Sequence, residues 1–200
     1  MITLLPNECF SKIFKNFSNN YRTLFSCLLV SRHWCRIIIP ILWSEPTKYV
    51  DDLRLIRIYL LTLNAEEQSL LLPYNIILPN YQRPLFEYSS FATYVSFHLA
   101  DRNTDGVKNW LCKEGYNDNK FLEFCDYNDF NYYDDLSYWD YNDKELNEQA
   151  IAIKCSLITM FLRTSRNLKH LNTDKPIYNN MLFERLLKNN TITSLKFRHF

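Results

Sequence analysis

The side chains with the most chemical potential in this sequence are thinly spread. His33 and Cys35 lie two apart in the stretch VSRHWCRIIIPILW at residues 30–43, which raises a thiol–imidazole nucleophile. Asp134 and Asp135 are adjacent, as carboxylates for acid–base work could be. Six cysteines (Cys9, Cys27, Cys35, Cys112, Cys125, Cys155) and four histidines (His33, His98, His170, His199) could donate to a metal. Each option fails on spacing. Residues two apart on a helix point about 200° apart, so His33 is poorly placed to activate Cys35. The two aspartates sit in a tyrosine-rich stretch with no base or orienting group beside them. There is no CxxC pair, and no histidine stands at zinc spacing from a cysteine pair. Gly106 and Gly115 are the two glycines, too few for a Rossmann or P-loop phosphate cradle. The expectation is a chain with no catalytic residue, no metal and no cofactor.

Two binding classes also recede. Trp34 and Trp43 beside Arg32, His33 and Arg36 could serve as a base-stacking platform. At 100° per residue, however, Arg32 and Arg36 fall opposite Trp34, and the whole chain carries a formal charge of only +1. No apolar run reaches about 18 residues without a charge, so no membrane span is expected. Neither nucleic acid nor membrane is an expected partner. The scattered cysteines and the absence of a signal-peptide pattern fit a cytoplasmic or nuclear protein.

The elements that position these residues can be read from periodicity. Pro6 suits a first helical position and Glu8 follows in the first turn. Phe10, Ile13, Phe14 and Phe17 then form an amphipathic stripe that Ser18-Asn19-Asn20 ends. A second helix is predicted over 21–28 and a third over 30–39. On the third, Val30, Trp34, Ile37 and Ile41 share an arc, Pro40 ends the regular turn, and Leu42-Trp43 follows as an apolar plug.

Taken in order, Leu5-Pro6-x-Glu8, the Ile13-Phe14 pair, a short helix, Val30-Ser31-Arg32-x-Trp34 and a closing Trp43 resemble the F-box, over residues 4–44. Ser31 stands where the family pattern has cysteine, and Phe17 where leucine is more usual. The resemblance implies a three-helix module that docks onto a Skp-type adaptor and, through it, onto cullin and RING subunits. It places Leu5, Pro6, Glu8, Ile13, Phe14, Val30, Trp34 and Trp43 in that docking module. It further implies a non-catalytic subunit that holds an unknown protein substrate through its C-terminal region. A ligase-independent interaction scaffold of the repeat type is the alternative.

Beyond residue 46 the chain reads in three parts. Residues 47–115 are a mostly helical connector: Leu53, Ile56, Leu60 and Leu63 share a face, and Asn64 to Glu67 resembles a cap with an acidic first turn. Within it, 72–84 is predicted to be extended, and 86–99 helical with Phe91, Tyr94, Val95 and His98 on one side. Residues 116–149 are an acidic, Tyr/Asn-rich surface insertion, with ten acidic residues against two lysines. Residues 150–200 match themselves at an offset of 24: Leu157 meets Met181, Ile158 meets Leu182, Leu162 meets Leu186, Leu168 meets Ile192 and Leu171 meets Leu195. That period lies within the leucine-rich-repeat range. The expected fold class is therefore α+β: a three-helix F-box over 1–46, a helical connector, and a rudimentary α/β leucine-rich-repeat-like solenoid.

Overall fold

The computed structural model describes residues 5–48, 52–78, 82, 84, 86–97, 106–114, 144–174 and 179–198. The expectation of a surface insertion therefore lies outside these residues for 116–143.

Three short helices come first: α1 (Asn7–Lys15), α2 (Tyr21–Leu28) and α3 (Arg32–Leu42). Local chemistry sets each start. Pro6 stands at the cap of α1, one place earlier than expected, and its carbonyl accepts from Cys9 and Phe10. Asn20 and Ser31 cap the next two, their side chains accepting from the amides of Thr23 and Trp34, both at 3.1 Å. Helix α3 thus begins after Val30, not at it. It also continues through Pro40 to Leu42. Proline there removes one bond, to the carbonyl of exposed Arg36, which water can satisfy.

Helices α4 (Leu53–Leu60) and α5 (Ala65–Ser69) follow, the second opened by the capping box of Asn64 and Glu67. Two short 3-10 turns, Leu72–Tyr74 and Tyr88–Phe91, lead to strand β1 (Tyr94–Phe97). The helix expected over 86–99 is therefore a turn followed by a strand. The apolar residues there match a helical spacing, but Val95 and Phe97 alternate with Tyr94 and Ser96 in the buried/half-buried pattern of a sheet. Then come α6 (Gly106–Lys113), α7 (Lys144–Thr164), β2 (His170–Asp174), α8 (Asn180–Lys188) and β3 (Ser194–Arg198). Helix α7 starts at Lys144, inside the segment read as insertion.

The strands form one parallel sheet in the order β1-β2-β3. Strand β2 pairs with β3 at the 24-residue offset of the sequence, Leu171 against Leu195 and Thr173 against Phe197. A repeated hydrogen bond starts every strand. The Ser44 carbonyl accepts from the Thr93 and Tyr94 amides at 2.8 and 3.1 Å. The Thr93 carbonyl accepts from Lys169 and His170 at 2.9 and 3.1 Å, and the Lys169 carbonyl from Thr193 and Ser194 at 2.9 and 3.0 Å. Residues 44–47, just after α3, thus stand as the first rung of the ladder, and the Thr47 hydroxyl accepts from the Ser96 amide at 2.9 Å.

Helix α7 is the centre of the larger core. Ala150, Ile153, Cys155, Leu157, Ile158, Met160 and Phe161 are buried around its whole circumference, as befits a helix packed on all sides. Against it lie Ile56, Tyr59, Leu60 and Leu63, then Val95 and Phe97 of β1, Trp110 and Leu111 of α6, Leu171 of β2 and Leu182 of α8. Burial pushes the Cys155 thiol up to about 12. Because the value in the folded chain is raised, this group's stabilisation is complete below about pH 9 and lost from there towards pH 12. Labelling with a disulfide reagent at pH 8 is accordingly expected to consume exposed Cys9 rapidly and Cys155 only at the rate of global unfolding. Rapid labelling of Cys155 in the folded chain would contradict this packing.

Candidate functional site

The N-terminal helices enclose a separate, much smaller core. Phe14, Leu24 and Ile38 are buried there, with Phe10, Cys27, Leu28, Trp34, Ile37, Ile41 and Leu42 packed around them. Phe14 lies edge-on to Trp34 at 5.1 Å between ring centroids, and Phe10 touches Phe14, His33 and Trp34. Of the residues named from the sequence, Phe14 and Trp34 therefore meet inside. Leu5, Pro6, Glu8, Ile13 and Val30 remain at the surface. Arg32 and Arg36 are exposed while Trp34 is half-buried, in keeping with their opposite angular positions.

Trp43 belongs to neither group. As the C-cap of α3 it leaves the small core, stacks on Tyr88 at 4.2 Å and meets Tyr59 edge-on at 6.0 Å. Burial, with Cys35 nearby as a lesser cause, raises the Tyr88 phenol above its ordinary value. Tyr59 in turn donates its hydroxyl to the Pro46 carbonyl at 3.1 Å. Trp43, Pro46, Thr47 and the Ser44 rung therefore join the three-helix module to the larger core.

The exposed face of the module is unusually apolar. Leu5, Ile13, Phe17, Tyr21, Phe25, Leu29 and Val30 are all exposed, and they are half of the large exposed hydrophobics among the described residues. Leu29 and Val30, adjacent in the turn between α2 and α3, show 69% and 64% of their surfaces. Tyr21 and Phe25 stack at 6.0 Å on the outside of α2. Exposed apolar surface is thus concentrated on this small module. Residues 5–44 hold five basic side chains and one acidic one.

Reading the sequence for inward-facing stripes missed Phe17, Tyr21, Phe25 and Leu29 as a surface. The signal was present: Tyr21, Phe25 and Leu29 recur every four residues beside Leu24 and Leu28, which widens the apolar arc to about 140°. An arc that wide on a short helix is more than one neighbour covers, so part of it is left exposed. Ser31, which departs from the family pattern, is explained by its capping role.

Residues 2–48 match the family model described as F-box-like, about a quarter of the chain. No curated protein and no solved structure matches it.

Proposed function

We propose, from the F-box-like domain at residues 2–48, that this chain is the substrate-recognition subunit of an SCF-type ubiquitin ligase. F-box domains usually bind Skp-type adaptors, and the observation that carries the reading here is the exposed apolar face of α1 and α2. A core of three fully buried side chains is small for a module of this size, so a partner that covers the face also adds stability. The chain supplies geometry rather than a reacting group. A target held beside a loaded conjugating enzyme gains effective concentration, and the lysine attack takes place elsewhere.

Rigid attachment supports this role. Trp43, Pro46 and the Ser44 carbonyl fix the docking module to the sheet, so adaptor and target would be held at a set separation. The parallel pairing of β2 with β3 at the 24-residue offset supports a leucine-rich-repeat-like reading of 150–200, with β1 as an earlier, degenerate unit. The C-terminal region is then the target-binding part. The reading implies a cytoplasmic or nuclear location, where thiols such as Cys9 and Cys27 stay reduced. Among the described residues, no helix is long and apolar enough to cross a membrane.

Co-expression with a Skp-type adaptor is the direct test. A stoichiometric complex is expected from size-exclusion chromatography. Failure of the wild-type chain to form the complex would end the ligase reading and leave a ligase-independent scaffold.

A further inference from the structure

We propose that the far side of β3 takes up, as a fourth parallel strand, an extended protein segment in which acidic and apolar residues alternate. Among the described residues β3 is an edge of the sheet, whereas the edge at β1 is covered by residues 44–47. The ladder points the same way. Ser44, Thr93 and Lys169 each offer one carbonyl to two amides of the next strand, and Thr193 is the residue at the following rung. An incoming segment that bonds two amides to the Thr193 carbonyl repeats a geometry the fold already uses three times. Strand addition of this kind supplies affinity through main-chain bonds and selectivity through alternate side chains.

The two faces of the sheet then dictate what those side chains are. On the inner face, the rows Val95-Leu171-Leu195 and Phe97-Thr173-Phe197 run outward from fully buried to 40% and 43% exposed at β3. On α8, Phe183 and Leu187 are 53% and 71% exposed. Apolar residues at alternate positions of the added strand continue these rows. On the outer face the rows are Tyr94-His170-Ser194, Ser96-Asn172-Lys196 and Asp174-Arg198, and the acidic Asp174 is buried on β2 rather than on the edge strand. Lys196 and His170 are exposed there, and residues 163–198 hold eight basic side chains against two acidic ones. Acidic residues at the intervening positions match that charge. A second copy of this chain fits poorly, because two-fold pairing of β3 on itself sets Lys196 and its symmetry mate on one small patch.

The inference deepens the reading of the C-terminal region as a target-binding part. Its test needs no adaptor, so its failure leaves docking through residues 2–48 standing. Fluorescence anisotropy on the full 200-residue chain compares a labelled peptide of alternating Glu and Val with its Lys/Val counterpart. The Glu/Val peptide is expected to bind at least about tenfold more tightly, with the preference weakening as salt rises. Lys196→Glu, at an exposed position, is expected to cut that preference at least about fivefold while leaving the far-ultraviolet circular dichroism unchanged. Equal affinity for the two peptides, no uptake of either, or a preference untouched by Lys196→Glu would overturn the proposal. So would light scattering that shows a dimer through β3, or displacement of the peptide by a single-stranded oligonucleotide at physiological salt.

Discussion

Replacing Leu29 and Val30 together with aspartate is expected to weaken binding to a Skp-type adaptor by about a hundredfold or more, with no comparable loss of fold stability. Both side chains are mostly exposed and neither belongs to the small core. Surface changes of this kind usually alter stability by no more than about 0.5 kcal/mol. At an interface the same two carboxylates would have to be stripped of water without partners. Truncating or spoiling a buried anchor costs roughly 2 kcal/mol or more, and two of them exceed the energy of a hundredfold change. Phe14→Ala is the contrasting variant. It opens a cavity under Trp34 and is expected to cost about 3–5 kcal/mol, losing module stability and docking together. Calorimetric titration beside thermal unfolding separates the two outcomes. If the double aspartate variant binds with wild-type affinity, the docking face lies elsewhere on the module.

Glu67→Ala is expected to lower the stability of the larger core by about 2–4 kcal/mol in urea unfolding, while adaptor affinity stays near wild type. Glu67 is fully buried and holds α5 against α7. Its carboxylate accepts from Arg163 Nε at 2.7 Å and Nη2 at 2.9 Å, and from the Asn64 amide at 2.9 Å. Its own carbonyl accepts from the Ser156 hydroxyl at 3.0 Å. Removing the carboxylate breaks the capping box and leaves the Arg163 guanidinium with only the Thr62 carbonyl at 3.2 Å and the more distant Glu87 carboxylate at 4.0 Å. The Glu67 bond is the first cause of the raised Arg163 basicity, with burial opposing it. The Arg163 side chain is 27% exposed, so water recovers part of the loss, which keeps the figure below that of a wholly buried pair. A double-mutant cycle with Arg163→Met measures the coupling directly. Coupling near zero would mean that packing of α7, not this pair, holds α5 in place.

The parts of the fold that were legible from the sequence are those whose causes are local. Asn64 sits immediately before α5 and caps it through its own side chain, as the sequence suggests, whereas the capping roles of Asn20 and Ser31 emerge only in the structure. The 24-residue offset survives as strand register, Leu171 against Leu195, because both segments place an apolar residue at the same step of the alternation. Residues 86–97 were misread because their apolar spacing satisfies a helix as well as a strand. Only β2, paired through contacts such as Asn172 with Tyr94, 78 residues apart, selects the strand. The continuation of α3 past Pro40 was missed for a related reason. Whether a lost backbone bond matters depends on whether the carbonyl left behind faces water.

By itself the sequence determined the order and spacing of the F-box-like motifs, the three N-terminal helices that carry them, and the 24-residue offset of the last two strands. Tertiary structure alone decided how the motif residues divide. Phe14 and Trp34 turn inward, Leu5, Ile13 and Val30 stay outside with Tyr21, Phe25 and Leu29, and Trp43 departs to the larger core. It also made Ser44 the first rung of the sheet, through bonds to Thr93 across 49 residues. The physical reason is that periodicity states the angle between side chains on one helix. Which side of that helix meets a neighbour is settled only when distant segments compete to cover it.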